Sequence, residues 1–296
     1  MSTDTFSEHR AYLRSLAYRM VGSMADAEDL VQETFVRWNE ARTDEVRVPR
    51  AFLTTVLTRL AITYLESARV RREEYVGVWL PEPIATSAER DPVELSESLT
   101  MAFLVLLENL TPLERAVFLL HEVFDYSHAE TGSITGKSEE ACRQTLRRAR
   151  QAMVARRPRF EVEPEMAERL MTQFSRAVLG EDLDGLMSLL HEDITAYSDG
   201  GGIEQAALNP IYGRDRVARF LVGIARKGGA GLERQAAEIN AQPGYVGIRD
   251  GQVRAAVVLD MEQDRIRTIY IVVNPHKLER LRTGREHDSL DSEQAN

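Results

Sequence analysis

The chain has 296 residues, room for two or three domains, and its 43% hydrophobic and 28% charged content excludes disorder and fibrous repeats. No window approaches ~18 consecutive apolar residues and Met1–Arg10 is too polar for a secretory signal, so neither a membrane span nor export is expected. The single cysteine, Cys142, excludes an internal disulfide and fits a reducing cytosol, the six histidines show no metal-ligand spacing, and a net charge of −10 argues on its face against nucleic acid.

Residues 1–75 read as helical. Tyr12, Leu16, Met20 and Val21 recur at helical spacing, then Gly22-Ser23 breaks the run. Ser23 followed by Asp26 resembles a capping box. Ala27, Leu30, Val31, Thr34, Phe35 and Trp38 mark one apolar face, with Glu28, Asp29, Gln32 and Glu33 opposite. A polar loop, Ala41–Val48, leads to Pro49, which suits a first helical turn. Leu53, Val56, Leu57, Leu60, Tyr64 and Leu65 form the next buried stripe; Thr55, Thr58, Arg59 and Thr63 lie on the other face, and Arg69, Arg71 and Arg72 close the helix. Residues 76–95 are a linker, broken by Trp79-Leu80-Pro81-Glu82-Pro83 and by Asp91-Pro92, although Trp79 and Leu80 are too apolar for a freely solvated one.

Residues 96–157 are helical again. Met101, Leu104, Val105, Leu107 and Leu110 precede Thr111-Pro112, an N-cap with proline at N1, and Val117, Phe118, Leu120 and Val123 pack the helix that follows. Ser127–Thr135 reads as a short helix ended by Gly136. It is expected to be marginal, because Gly132 costs about 1 kcal/mol relative to Ala and Thr131 and Thr135 are poor core residues. Ser138 caps a last helix with Cys142, Leu146, Ala149 and Met153 inward. Short helix, glycine turn and basic helix outline a helix-turn-helix. The segment Lys137–Arg157 holds seven basic residues against two acids, so the acidic total hides a local positive stretch.

After Pro158 the pattern changes class. Met166, Leu170, Phe174 and Val178 mark a helix stopped at Gly180; Leu183, Leu186, Leu189 and Leu190 mark a second, with His191 at its C-terminal end. Strand-like runs follow at Ile194–Ser198, Tyr245–Ile248, Val253–Asp260 and Arg265–Val273, with hairpin turns at 249–252 and 262–264 and a helix over Arg214–Arg226. Helices leading into an antiparallel sheet predict an α+β domain, and the polar end, Arg282–Asn296, a flexible tail.

With these residues in view, the N-terminal half resembles an extracytoplasmic-function sigma factor of bacterial RNA polymerase over about residues 6–155. Ala25-Asp26-Ala27-Glu28-Asp29-Leu30-Val31-Gln32-Glu33-Thr34-Phe35-Val36-Arg37-Trp38 is similar to the segment that docks on core polymerase, Pro49–Arg72 to the one that melts and reads the minus-10 element, and Leu110–Arg150 to the minus-35 domain. The C-terminal domain resembles the cone-shaped SnoaL-like (NTF2-like) fold, through the linker Trp79–Pro83, the turn Asp199-Gly200-Gly201-Gly202 and Asn274-Pro275-His276-Lys277-Leu278, where the group has Asp in place of His276. The resemblance implies a sigma factor whose fused SnoaL-like extension replaces a separate anti-sigma protein.

The implied organisation is sigma region 2 over 1–75, a linker over 76–95, sigma region 4 over 96–157, a regulatory α+β domain over 158–281 and a tail over 282–296. The implied partners are core polymerase (beta and beta-prime subunits) through Glu28, Asp29, Gln32, Glu33 and Trp38, and promoter DNA. Thr58, Arg59, Thr63, Arg69, Arg71 and Arg72 would face the minus-10 element. Ser138, Glu139, Glu140, Arg143, Gln144, Arg147, Arg148 and Arg150 would face the minus-35 element. Trp79, Leu80, Pro81, Glu82 and Pro83 are expected to pack on Asp199–Gly202 and on Asn274, Pro275, Lys277 and Leu278. No metal, cofactor or membrane is expected, the location is cytoplasmic, and a small-molecule ligand in the cone stays open. Two rivals remain: a regulator that binds DNA without polymerase, and a SnoaL-type enzyme using Asp199, Tyr197 or His191 for acid–base work.

Overall fold

The computed structural model describes residues 2–41, 46–85, 99–154, 163–228 and 231–281, with backbone alone for 2–4, 69–73, 154, 164 and 228. Residues 42–45 of the polar loop, the Asp91-Pro92 break, Arg156, Arg157 and the tail from 282 lie outside the described residues. The chain divides into two compact units, Met1–Glu74 with Arg90–Arg157, and Tyr75–Glu89 with Pro158–Asn296.

The first unit is helical. α1 (Ser2–Val21), α2 (Met24–Glu40) and α3 (Pro49–Glu73) bury Leu13, Leu16, Met20, Ala27, Val31, Leu53 and Leu57. Ser23 caps α2 by accepting from the Asp26 amide at 3.3 Å. α4 (Met101–Leu107), α5 (Pro112–Glu122), α6 (His128–Thr135) and α7 (Glu139–Val154) follow. Thr111 with Glu114, and Ser127 with Glu130, form reciprocal capping boxes that satisfy the orphan amides of α5 and α6. The buried row of α3 is Leu53, Thr54, Leu57, Thr58, Ala61, Leu65 and Ala68; the expected Val56, Leu60 and Tyr64 are only half-buried. The row is displaced because α3 packs on α1 and α2 and also on α5 and α6, which covers Thr54 and Thr58. Arg115 of α5, itself buried, donates to the Met20 carbonyl at 2.6 Å and pairs with Glu108 at 2.9 Å.

The second unit is α+β: α8 (Pro164–Leu179), α9 (Leu183–Leu189), β1 (Leu190–Asp199), β2 (Ile211–Tyr212), α10 (Arg214–Gly228), β3 (Glu233–Ile239), β4 (Gln242–Arg249), β5 (Gln252–Glu262), β6 (Arg265–Val272) and α11 (Pro275–Leu278). Its sheet runs β2-β1-β6-β5-β4-β3. The expectation of an antiparallel sheet is corrected at one pairing inside it: β1 pairs with β6 in parallel, because α10 carries the chain from β2 to the far edge at β3 and the β3–β6 meander returns it to lie beside β1. His191 is the second residue of β1, not a helix end. Two strands went unpredicted. β2 has only two residues, and β3 reads Glu-Arg-Gln-Ala-Ala-Glu before its single β-branched Ile239. The 249–252 turn is as expected, with Asp250 and Gly251 both at positive φ, 53° and 71°. Ile194, Ala196, Val257, Leu259, Ile269 and Ile271 form the sheet's inner face and close on Phe174, Leu186, Val217 and Leu221. Among the described residues, no helix is long and apolar enough to cross a membrane.

Candidate functional site

In α7, Cys142, Thr145, Leu146, Ala149 and Met153 are buried, which leaves the polar and charged positions between them outside. Ser138, Glu139, Glu140, Arg143, Gln144, Arg147, Arg148 and Arg150 are all exposed. Ser138 accepts from the Ala141 amide at 3.2 Å, capping the helix at its candidate base-reading end. Arg143 pairs with Glu139, the Gln144 amide reaches Glu140 at 3.5 Å, and Arg148 and Arg150 lie 3.6 and 2.6 Å from Glu114 and Glu122 of α5. The basic face is therefore partly neutralised by its own scaffold.

The preceding α6 is better built than its composition indicated. Its N-terminus has the Ser127–Glu130 box and its C-terminus a left-handed Gly136 at φ 69°. Gly132 is there for space: a Cβ would lie 2.7 Å from the Lys137 carbonyl oxygen, where the backbone turns toward α7. Sequence reading counted the propensity cost of this glycine and missed the contact it permits.

On α2, Asp29, Gln32 and Glu33 are exposed and Glu28 is half-buried, while Glu33 is held by Arg37 at 2.9 Å. Trp38 differs from the expectation of a surface contact. It is 2% exposed, 5.7 Å from the Phe52 ring, and belongs to the three-helix core.

The α3 candidates divide. Thr63 is exposed, but Thr58 is fully buried and its hydroxyl has no partner among the described residues, so it is not at the surface in this conformation. Arg59 donates from Nε to the Ile134 carbonyl at 3.0 Å and from Nη2 to the Ser133 carbonyl at 3.2 Å, at the end of α6. One turn earlier, the Thr54 hydroxyl lies 3.0 Å from Tyr126 Oη and 3.2 Å from Tyr12 Oη, which are themselves 3.0 Å apart. The side chains of Arg69, Arg71 and Arg72 lie outside the described residues.

In the second unit, strand alternation sends Ile194 and Ala196 to the core and Tyr197 and Asp199 to the other face. Asp199 is fully buried and collects four donors. Oδ1 accepts from Tyr75 Oη at 2.6 Å and the Gly201 amide at 3.0 Å, and Oδ2 from the Leu80 amide at 2.8 Å and Lys277 Nζ at 2.7 Å. Lys277 also donates to the Leu80 carbonyl, and its ammonium lies 4.1 Å from the Trp79 ring centroid and 5.2 Å from that of Tyr75. Asn274 donates to Tyr75 Oη at 2.9 Å, and burial together with the Asp199 carboxylate pushes the Tyr75 phenol upward. Gly201, at φ 62°, lies where a Cβ would meet Asn274 Nδ2 at 2.3 Å. Farther along, Ile84 and Asn240 exchange hydrogen bonds at 3.1 and 2.9 Å, and Ala85 bridges to Ile239. Leu80 and Glu82 are buried, with Arg280 3.7 Å from Glu82.

The linker motif, the glycine turn and the Asn274–Leu278 segment thus meet around one carboxylate. His276 stands outside the cluster, 74% exposed and 3.4 Å from Glu279, so replacing an acid there leaves the Lys277–Asp199 pair intact. Tyr75, Ile84 and Asn240 were missed by sequence reading: Tyr75 sits just past a helix end, and only the fold shows what it meets. His191 is eight residues from Asp199 along β1, roughly 25 Å at about 3.3 Å per residue, and its Nδ1 accepts from the Asp193 amide at 3.0 Å. It does not share a site with Asp199. A cleft of about 410 Å³, lined by Met166, Arg169, Gln173, Ser188, Asp264 and Arg265 among others, uses none of the Asp199 cluster.

Comparison with known proteins gives two family matches, Sigma-70 region 2 over residues 5–71 and Sigma-70 region 4 over residues 100–153. The ECF RNA polymerase sigma factor SigJ of Mycobacterium tuberculosis (strain ATCC 25618 / H37Rv) is 36% identical over 292 residues, covering 94% of this chain and 93% of SigJ. The probable ECF sigma factor SigI of M. tuberculosis (strain CDC 1551 / Oshkosh) is 31% identical over 278 residues, 93% of each chain. The crystal structure of M. tuberculosis SigJ matches with a TM-score of 0.74 and 34% identity, covering 92% of this chain and 97% of that one.

Proposed function

The chain belongs to the extracytoplasmic-function sigma factors of RNA polymerase, and on that premise we propose how its parts divide the work of directing core polymerase to promoters and initiating transcription. The exposed acids and amide of α2, Asp29, Gln32 and Glu33, with Glu28 at their edge, meet a basic surface of core polymerase; Trp38 supports them from inside. The exposed face of α7 enters the major groove of the minus-35 element, with Glu139, Glu140 and Gln144 toward base edges and Arg143, Arg147, Arg148 and Arg150 toward phosphate or guanine. Arg59 and Thr63, with the basic end of α3, read the melted minus-10 strand.

The C-terminal unit acts as a built-in regulator rather than an enzyme. The observation that carries this reading is Asp199: its carboxylate is occupied by linker and turn donors, so that carboxylate is not free to act as an acid or base. Anchoring residues 75–85 removes eleven residues of slack from the tether between α3 and α4, on the order of 36 Å of reach at about 3.3 Å per residue. The two promoter-reading modules are then restrained by the protein's own domain, in the cytoplasm and without a separate anti-sigma factor.

Run-off transcription with core polymerase and no other factor tests this. Initiation from core alone is expected, and Asp199→Ala and Trp79→Ala are expected to raise it without unfolding the protein. A DNA-binding regulator or a SnoaL-type enzyme would not initiate at all, and unchanged transcription from both variants would remove the regulatory assignment.

A further inference from the structure

Where α5, α6 and α7 converge, two histidines lie face to face. His121 is in the last turn of α5 and His128 is the first residue of α6. Their rings stack with centroids 4.2 Å apart and planes 12° from parallel. The His121 ring is fixed from the backbone. Its Nδ1 lies 2.7 Å from the Tyr126 carbonyl oxygen, an acceptor, so this nitrogen carries the hydrogen and donates. Its Nε2 then lies 3.9 Å from Glu122.

His128 is in the opposite situation. Its Nδ1 is buried and has no partner among the described residues. A bare nitrogen is the least costly atom to bury there, since an N–H would leave a donor unsatisfied at roughly 1–3 kcal/mol. The neutral ring meets that demand with its hydrogen on Nε2. The imidazolium does not, because both of its nitrogens carry hydrogen. Further features oppose the cation. It would sit in the first turn of α6, at the positive end of the helix dipole. It would stack on a second imidazole and feel Arg143 and Arg150 of α7. The neighbouring acids are already engaged: Glu139 by Arg143, Glu122 by Arg150 at 2.6 Å, and Glu130 by the amide and hydroxyl of Ser127 at 2.8 and 2.7 Å. From α3, Arg59 reaches only the far end of α6. Burial first, then His121, Arg143 and Arg150, hold the His128 imidazole below its ordinary range, with Glu139 opposing.

We infer that the His121–His128 stack is an acid-sensitive joint of the helix-turn-helix: neutral rings hold α6 between α5 and α7, and a proton on His128 pushes the first turn of α6 out of that packing. The consequence for DNA deepens the sigma-factor reading and rests on it. α6 supports α7, so α7 presents a fixed face to the minus-35 element only while the stack is neutral, and initiation weakens in acid. His128 is thus a positioning residue. An imidazolium that contacted phosphate would act in reverse, strengthening binding in acid. The released ring titrates near 6.5 and the packed one lower, so packing is fully favoured above about 6.5 and weakens as pH falls below it. A single proton limits the effect: between about pH 7.5 and about pH 5.5 the opening equilibrium shifts at most about ten-fold.

Residue-resolved hydrogen exchange on the full chain at those two pH values tests the joint, with the intrinsic pH dependence of exchange divided out. Protection of the α6 amides is expected to fall several-fold in acid, within the ten-fold ceiling, while that of α1 and α2 holds. His128→Phe keeps a stacking ring and does not titrate, so it is expected to remove the difference; His128→Asn takes its place if the phenyl variant does not fold. His121→Asn retains a donor for the Tyr126 carbonyl, and it is expected to raise the pH at which the His128 ring titrates, followed by NMR of its Cε1 proton. In run-off transcription, the ratio of wild-type to His128→Phe product is expected to fall several-fold from the higher to the lower pH, and the pH dependence of core polymerase cancels in that ratio. Equal α6 protection at both pH values, equal loss in α1 and α2, an unaltered pH response in His128→Phe, or a His128 titration unmoved by His121→Asn would overturn the joint. Exchange and titration do not depend on the sigma assignment. Initiation at neither pH rejects that assignment alone, and acid opening of α6 with an unchanged run-off ratio overturns the link to promoter reading.

Discussion

Asp199→Asn is the most incisive perturbation of the linker clamp, because it keeps the shape of the side chain and removes the charge. The carboxylate accepts from four donors, one of them a lysine ammonium that is itself 12% exposed. An amide oxygen serves about two of these, while its NH2 group turns toward the others. At roughly 1.5–3 kcal/mol for each charge-assisted bond, losing two costs about 3–6 kcal/mol. Some is recovered by relaxation of Lys277, whose stem is flexible, so about 3 kcal/mol is expected against linker docking. At about 1.4 kcal/mol per tenfold, the Leu80 amide, which donates directly to Asp199, should exchange with solvent about a hundred times faster. Residue-resolved hydrogen exchange measures this, with the amides of β5 and β6 as the reference for the body of the domain. Unchanged exchange at Leu80 would refute the clamp. Equal acceleration through β5 and β6 would refute it as well, because Asp199 would then be holding the domain together rather than the linker to it.

Other outcomes follow from the same geometry. Gly132→Ala should lower the thermal stability of the helical unit by about 1–3 kcal/mol, since the new methyl meets the Lys137 carbonyl; a gain of about 1 kcal/mol, as helix propensity alone expects, would contradict that contact. Trp38→Ala should cost about 3–5 kcal/mol in denaturant unfolding, whereas Asp29→Ala and Gln32→Ala should leave stability within about 0.5 kcal/mol and weaken binding to core polymerase in a pull-down titration. Burial pushes Asp260 up to about 6 from an ordinary 3.8, with Glu262 adding to the rise and Arg267 opposing it. The folded state therefore prefers its protonated form, so stability falls as pH climbs from about 4 through about 6 and is level above; Asp260→Asn should flatten that slope in urea titrations and be worth up to about 3 kcal/mol at pH 7. Arg147→Ala should weaken minus-35 duplex binding and reduce its salt dependence by about one phosphate contact, read from affinity against salt concentration.

Periodicity and punctuation determined much of this protein. The inward row of α7 and the caps at Ser23, Thr111, Ser127 and Ser138 follow from local rules, because a helix needs only its own neighbours to set its face and its ends. The three motifs that meet at Asp199 could be named from the sequence, since each carries proline, glycine or an aromatic residue where a polar loop would not. Their meeting point could not be derived that way: Tyr75 and Lys277 stand 202 positions apart, and only the fold brings a phenol, an ammonium and a strand-end carboxylate together. The parallel β1–β6 pairing was likewise hidden, as strand alternation sets faces and not partners, and β3 was hidden because its partner β4 supplies the order its own composition lacks. The tertiary structure also decided the fate of α3. Composition marked Thr58 and Arg59 as polar and therefore outward; Arg59 is exposed, but a second helical layer covers Thr58, and burial is a property of what lies opposite rather than of the residue itself.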